Sequence, residues 1–274
     1  MPATTIRRPA VAGQFYPDDP YTLEKTVDAF LDTATVQPAP GRVVTIVSPH
    51  AGYIYSGPTA GHAFARVRGK HPKRVVLLGC SHRYAIDTAS VFTVGEFDTP
   101  LGPFPIDEAF AKELAAALES VSVGPHLMEH SLEVQLPFLA RAIGFVPIVP
   151  VLFGSPAGPW HARIGEVLAR MLDASDLVVT STDLSHYLNE SSANAIDRRS
   201  IDAVLAKDWQ AYAQHIRDKS CSMCGAAAMT AAMSLARARR AEDWKLLDYR
   251  TSAAASGDFK RVVGYAAISM ERAA

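Results

Sequence analysis

The chain is poor in cysteine: Cys80, Cys221 and Cys224 are all it has in 274 residues. Three is too few and too odd a number for a disulfide framework, which leaves reduced thiols or metal ligands as their roles. Long apolar runs are missing too. Nowhere do about 18 apolar residues follow one another, so no membrane-spanning helix is expected. The opening MPATTIRRPA has two arginines but no apolar stretch behind them, unlike a secretion signal. A cytoplasmic location is expected.

Charge of one sign is lacking as well. Charged residues make up 20% of the chain and the formal net charge is -1. No basic surplus exists to neutralise a phosphate backbone or an anionic membrane, so neither nucleic acid nor membrane is expected as a partner. There is no repeat of solenoid length and no linker. The Pro/Gly-rich stretches 38–40 and 99–105 read as surface loops, not domain boundaries.

What is present is 49% hydrophobic residues, enough to bury one full core, so residues 1–274 are expected to form one domain. Short β-branched runs predict strands at 43–48, 74–78, 90–94, 147–152, 177–181 and 262–270. Several are apolar on both faces, as a parallel sheet covered on both sides requires. Helical periodicity falls at 21–33, 58–67, 108–118, 133–143, 161–172, 192–206 and 225–236, mostly between the strands. In the second of these Pro58 suits a first helical position, with Ser56 or Gly57 as cap. The expected architecture is a three-layer α/β/α sandwich around a mostly parallel sheet.

In such sheets ligands bind beyond the carboxyl ends of the strands. Strand 43–48 runs into PHAGYIYSG and delivers His50. Strand 74–78 runs into GCSHR and delivers His82. Strand 177–181 runs into TDLSHY and delivers Asp183 and His186, which share a face if that segment makes a helical turn. Adjacent strands lie about 4.8 Å apart, so neighbouring strand ends can converge on one ion. In SCSMCGAAAMTAAM, Cys224 precedes an alanine-rich helix, where backbone N–H groups favour a thiolate. The segment MEHSLEVQLPFL adds Glu129, His130 and Glu133, with Ser131 as a cap for the following helix.

A lone histidine after a strand is more often a solvated or capped loop residue, by roughly two to one. Three strand ends that each present a histidine reverse those odds to roughly three to one. His62, His71, His161 and His215 read as packing or surface residues. Cys221 forms one C-x-x-C pair with Cys224, too little for a four-ligand structural zinc knuckle. Cys80, after a buried strand, reads as a space-filling thiol, with its neighbour His82 as the reason to keep it in view for the site. Ser81 in GCSHR lacks the Gly-x-Ser-x-Gly elbow of a serine hydrolase.

The blocks RRPAVAGQFYP, PHAGYIYSG, LLGCSHR, MEHSLEVQLPFL, TSTDLSHY and the Cys224-Gly225 helix start follow one another in that order. Together they resemble the Memo-like family, called AmmeMemoRadiSam system protein B in many bacteria, which resembles class III extradiol dioxygenases in fold. The resemblance implies a mononuclear metal site on His50, His82 and Cys224, with Asp183 and His186 lining the same cleft and His130 in the matching EHS block. The related dioxygenases use two histidines and a carboxylate, so a thiolate in third place marks a departure. Asp183 as the carboxylate ligand, or as a partner that orients His186, stays open. The resemblance also implies association with an AMMECR-type protein and a radical SAM enzyme.

Three functions follow. In the first, His50, His82 and Cys224 hold Fe(II) for redox or dioxygenase-like chemistry on a small, phenolic substrate, with His186, His130 or Asp183 handling protons and Tyr53 and Tyr55 shaping the pocket. In the second, the site holds iron or copper, or serves a protein interaction, without turnover. In the third, two histidines, a cysteine and a water hold zinc for hydrolysis.

Overall fold

In a computed structural model of the chain, which describes residues 5–120, 123–154 and 157–272, a mixed eight-stranded sheet lies between layers of helices. Among the described residues the order begins β1 (Ile6–Arg7), α1 (Pro20–Thr33), β2 (Val43–Ser48), α2 (Tyr53–Ala65), β3 (Val75–Cys80) and β4 (Ala89–Val91). It continues through β5 (Glu96–Phe97), β6 (Phe104–Pro105), α3 (Glu108–Ala117), α4 (Leu136–Ala142), β7 (Ile148–Phe153), α5 (Pro159–Met171) and β8 (Leu177–Ser181). The last third holds β9 (His186–Leu188), α6 (Glu190–Leu205), α7 (Trp209–Arg217), α8 (Ala226–Ala238), β10 (Asp243–Thr251), α9 (Ala253–Ser256) and β11 (Val262–Glu271).

The main sheet runs β10-β11-β2-β8-β3-β7-β4, and β9 pairs with β11. Strands β2, β8, β3 and β7 are mutually parallel, while β11, β10 and β4 add antiparallel flanks. The four parallel strands are buried at every position. Their continuous apolar runs follow from helices on both faces. Helix α2 covers β2, β10 and β11 with α1 and α4 behind it, and α8 crosses β2, β8, β3 and β7 with α5 against it. This three-layer α/β/α arrangement is the one the sequence implies, with parallel pairing confined to the centre.

The strand expected at 74–78 runs on to Cys80, so that thiol closes a central strand. The helix expected to start at Pro58 starts at Tyr53, with Gly52 at its cap and Pro58 inside it. Neither Ser56 nor Gly57 caps it. The chain turns early because the N–H of Tyr53 is already taken by the Phe15 carbonyl at 2.7 Å. The helix expected at 133–143 opens with a 3-10 turn, Glu133–Gln135, before α4. Ser131 does not cap it; its hydroxyl donates to the Cys80 carbonyl at 2.8 Å. The segment after Thr182 is not a helical turn but leads into β9, which removes the shared face expected for Asp183 and His186.

The N-terminal segment is tied to the β3 side of the sheet by buried charge. Arg7 pairs with Glu133, both almost fully buried. Glu133 also accepts from Tyr16 Oη at 2.6 Å and from the N–H groups of Ala10 and Val11 at 2.8 and 3.0 Å. Burial of two opposite charges costs little only when the remaining hydrogen-bonding positions are filled, as they are here. The RRPAVAGQFYP block therefore reads as an anchor for the segment that carries Glu129 and His130.

Candidate metal centre

The strand order places β8 between β2 and β3, so three neighbouring parallel strands end side by side. His50 follows β2, Asp183 follows β8 and His82 follows β3. The fourth contribution arrives from the other face: Cys224 stands just ahead of α8, its N–H bonded to the Asp183 carbonyl at 3.3 Å. The rings of His50 and His82 meet edge-on with centroids 5.1 Å apart. The His130 ring stacks on His82 at 4.5 Å and lies 5.5 Å from His50.

Each imidazole is held by its Nδ1. For His50, Nδ1 lies 2.8 Å from Ser181 Oγ. That hydroxyl donates its own hydrogen to the Ser131 carbonyl at 2.6 Å and also accepts from Gln135 Nε2 at 3.0 Å. Its one hydrogen is spent, so His50 must donate from Nδ1, which leaves Nε2 as a lone-pair donor. For His82, Nδ1 lies 2.8 Å from Glu129 Oε1, while its backbone N–H donates to Glu129 Oε2 at 2.6 Å. Oε1 of the same carboxylate accepts from the N–H groups of His130 and Ser131, each at 2.9 Å. Carboxylate or hydroxyl support behind an imidazole is the arrangement that orients metal-binding histidines.

The two free Nε2 atoms face sulfur. Cys224 Sγ lies 3.2 Å from His50 Nε2, and Cys80 Sγ lies 3.7 Å from His82 Nε2. The donor atoms of His50, Cys80, His82 and Cys224 all fall within 4.8 Å of one another. Bonds of about 2.0 Å to nitrogen and 2.3 Å to sulfur put tetrahedral donors roughly 3.3–3.8 Å apart, so the residues present fit one ion. Asp183 stands beside this group, with Oδ1 on the N–H of His50 at 2.7 Å and Oδ2 4.0 Å from His50 Nε2. A second set, His82, Glu129 and His130, also brings three donors together.

The electrostatics of the cluster set a thiolate against two raised imidazoles. Burial opposes the Cys224 thiolate, but hydrogen bonds from Cys80 and the two imidazoles outweigh it and hold the thiol well below its ordinary range. The hydrogen bond to Cys224, with burial behind it, keeps Cys80 protonated. Burial pulls His50 and His82 down, yet the Cys224 thiolate, with Asp183 or Glu129, lifts them to about 9 and about 10. Burial likewise pushes Glu129 up, and its bonds to His82 bring it to about 2. His130 is lowered to about 4, first by burial and then by His50. An entering ion therefore displaces protons from both imidazoles.

Access is from one side. The His82 and His130 side chains are 33% and 19% exposed, whereas His50, Asp183 and Glu129 are almost fully covered. Phe15 packs on His130 at 4.8 Å, and Tyr55 is partly exposed. Tyr53 does not shape this mouth, because it is buried in the core and its hydroxyl donates to the Val134 carbonyl. His186 stands at the start of β9 with its ring against Tyr187, outside the four-donor group.

Cys80, a buried free thiol as expected, also faces a histidine of the site, as its neighbour His82 suggested. Its place in a GCSHR strand end, alternating with His82, was the available signal. The roles of Glu129 and Ser181 were not visible, because both act across long stretches of chain. Cys221, buried near Ser200, stays outside the cluster.

A family model described as Memo-like protein matches residues 7–269. A MEMO1 family protein of Methanopyrus kandleri is 35% identical, covering 97% of this chain and 99% of that protein. Others from Methanobrevibacter smithii and Nitrosopumilus maritimus are 34% and 31% identical, over 95% and 96% of this chain and 98% of each relative.

Proposed function

The chain belongs to the Memo-like family, and from that membership we propose that it is a mononuclear metal protein whose site works on a small molecule by redox chemistry. The observation that carries this reading is the convergence of His50, His82 and Cys224, from two strand ends and a helix start, with both imidazoles presenting Nε2 to the same space. Iron, with copper or zinc as the other candidates, would be held by these three residues. A redox-active ion with a free position supplies there the capacity to bind and activate both an oxidant and a phenolate.

The protein's own residues do the rest. Glu129 and Ser181 fix the two ligand rings. His130, stacked on His82 at the open side, is placed to take a proton from an entering hydroxyl. Asp183 holds the His50 backbone, and Phe15, packed on His130, offers apolar surface that an aromatic ring would meet.

A second reading, an iron- or copper-holding protein without turnover, is favoured by Cys80, since a second thiol beside the ligands can fill the position a substrate would need. Hydrolysis at zinc has no comparable observation behind it.

The test is elemental analysis of anaerobically prepared, iron-reconstituted protein beside His50→Ala and Cys224→Ala, followed by oxygen uptake with catechols. Near-stoichiometric metal that both substitutions abolish, with turnover, is the expected result. Metal without turnover selects the second reading. Metal retained by both variants overturns the site.

A further inference from the structure

We propose that Cys80 is a fourth ligand of this centre, so that the site is a closed set of two imidazoles and two thiolates that takes a thiophilic ion of the zinc(II) or copper(I) kind in preference to Fe(II). The proposal rests on the metal centre above and, by filling the free position, selects the second reading, a metal-holding protein without turnover.

Geometry is the first ground. Cys80 Sγ lies 3.7 Å from His82 Nε2, and Cys224 Sγ lies 3.2 Å from His50 Nε2. These two contacts bracket the nitrogen–sulfur edge of roughly 3.5 Å expected in a tetrahedral site. The four donors come from three places in the fold, the end of β2, the end of β3 with the turn that follows it, and the start of α8, and all lie within 4.8 Å of one another.

The second ground is how firmly the Cys80–His82 segment is held. Ser131 Oγ donates to the Cys80 carbonyl at 2.8 Å, and Glu129 binds both the N–H and Nδ1 of His82. Two residues of one segment therefore clamp both ends of the Cys-Ser-His triplet. Gly79 permits it: a Cβ there would come within 2.5 Å of Leu132 and 2.8 Å of Ser131 Oγ. A thiol that only fills space needs apolar neighbours and no such clamp. This one is set against an imidazole and a second thiol.

The third ground is ligand chemistry. Two sulfurs and two imidazole nitrogens in a tetrahedron suit zinc, and thiolates select copper(I), whereas oxygen chemistry at Fe(II) relies on a carboxylate and open positions. In this chain Glu129 is taken up by His82 and backbone N–H groups, and Asp183 spends Oδ1 on the His50 N–H, with Oδ2 4.0 Å from His50 Nε2 and farther from it than either sulfur is from its imidazole.

Reduced protein loaded with Co(II), and separately titrated with Zn(II) against a chromophoric chelator, tests this beside Cys80→Ser, Cys80→Ala and His50→Ala. The wild type should show tetrahedral ligand-field bands with sulfur-to-cobalt charge transfer from two thiolates. Both Cys80 variants should lose about half that charge-transfer intensity. Their Zn(II) affinity should fall at least ten- to a hundred-fold, the range for loss of mere supporting partners. X-ray absorption on the wild-type zinc form, expected to count two sulfurs and two nitrogens, decides the matter without any variant. One sulfur, or Cys80 variants that keep full charge transfer and affinity, overturns the proposal and leaves the three-ligand site standing. Zn(II) and Co(II) binding unaffected by His50→Ala overturns the metal centre itself.

Discussion

Glu129 grips His82 twice, taking the ring Nδ1 at 2.8 Å on one oxygen and the backbone N–H at 2.6 Å on the other. One carboxylate thus sets the tautomer, the ring plane and the position of the chain that carries the ligand. Glu129→Gln keeps the shape but turns one acceptor into a donor. Metal affinity should fall about ten- to a hundred-fold, with a modest change in melting temperature. Isothermal titration with Zn(II) measures the first and calorimetry the second; unchanged affinity would show that His82 needs no such support.

Ser181 plays the corresponding part for His50. Its hydroxyl, bound to Ser131 and Gln135, has only an acceptor position left for the imidazole. Ser181→Ala should free His50 to take the other tautomer and weaken metal binding on the order of ten-fold. In the zinc-loaded protein, which ring nitrogen carries the proton can be read from nitrogen-15 shifts of the labelled imidazole. Retention of the Nδ1–H form in the variant would falsify this assignment.

The buried Arg7–Glu133 pair makes a claim about stability, not chemistry. Removing one partner leaves the other charge without compensation in the core. Glu133→Gln should therefore cost about 3–5 kcal/mol, visible as a fall in the urea midpoint. Because Glu133 also holds Tyr16 and two backbone N–H groups, Arg7→Met combined with Glu133→Gln should cost less than the sum of the two single changes. Strict additivity would mean the pair is not coupled.

His126 supplies the pH dependence. It is buried, its Nε2 lies 2.9 Å from the Ser90 carbonyl, and burial first, with Arg7 assisting, lowers it from 6.5 to about 4. A folded-state value below the unfolded one means that the unfolded chain binds the proton first. Stability is untouched above pH 6.5 and falls as pH drops from there towards 4, by at most roughly 3 kcal/mol from this one group. The carbon-bound proton resonances of His126 should show no titration above about pH 5; a midpoint near 6.5 would refute the prediction.

Much of this was legible in the chain because local pattern and final environment agree. The central strands read as continuous apolar runs since both their faces are covered, and β2 and β8 fall on the expected residues. His50, His82 and Cys224 could be singled out because each stands within two residues of an element end, where a side chain is free to point into a cleft. β10 escaped notice: as an edge strand reading DWKLLDYRT, it is only partly buried and carries charge. α7 went unread although Trp209, Tyr212, Ala213 and Ile216 recur at helical spacing along its nine residues. Cys80 reads first as a space-filler because it closes an apolar strand, although His82 stands two residues on; its contact with Cys224, from the start of α8, is not legible in the sequence. Pairings such as Glu129 with His82 are properties of the folded chain, invisible to spacing.

Gly225 shows how tightly the helix that carries Cys224 is seated. Its N–H donates to Thr182 Oγ1 at 2.9 Å, and a Cβ on it would lie 2.6 Å from the Ser181 carbonyl oxygen and 2.7 Å from Thr182 Cβ. The φ of −89° is ordinary for any residue, so the requirement is for space and not for an unusual backbone. Ser181 and Thr182 cannot retreat without disturbing the hydroxyl that orients His50, and the Asp183 N–H that bonds Cys224 Sγ at 3.2 Å moves with them. Gly225→Ala should therefore push α8 outward at a cost of about 1–3 kcal/mol and lengthen the Cys224–His50 contact. Metal affinity should drop further than it does for an alanine placed elsewhere in α8 with equal loss of stability, such as Met229→Ala. Denaturation paired with Zn(II) titration of both variants checks this: equal affinities at equal stability would mean that the helix start does not set the thiolate's position.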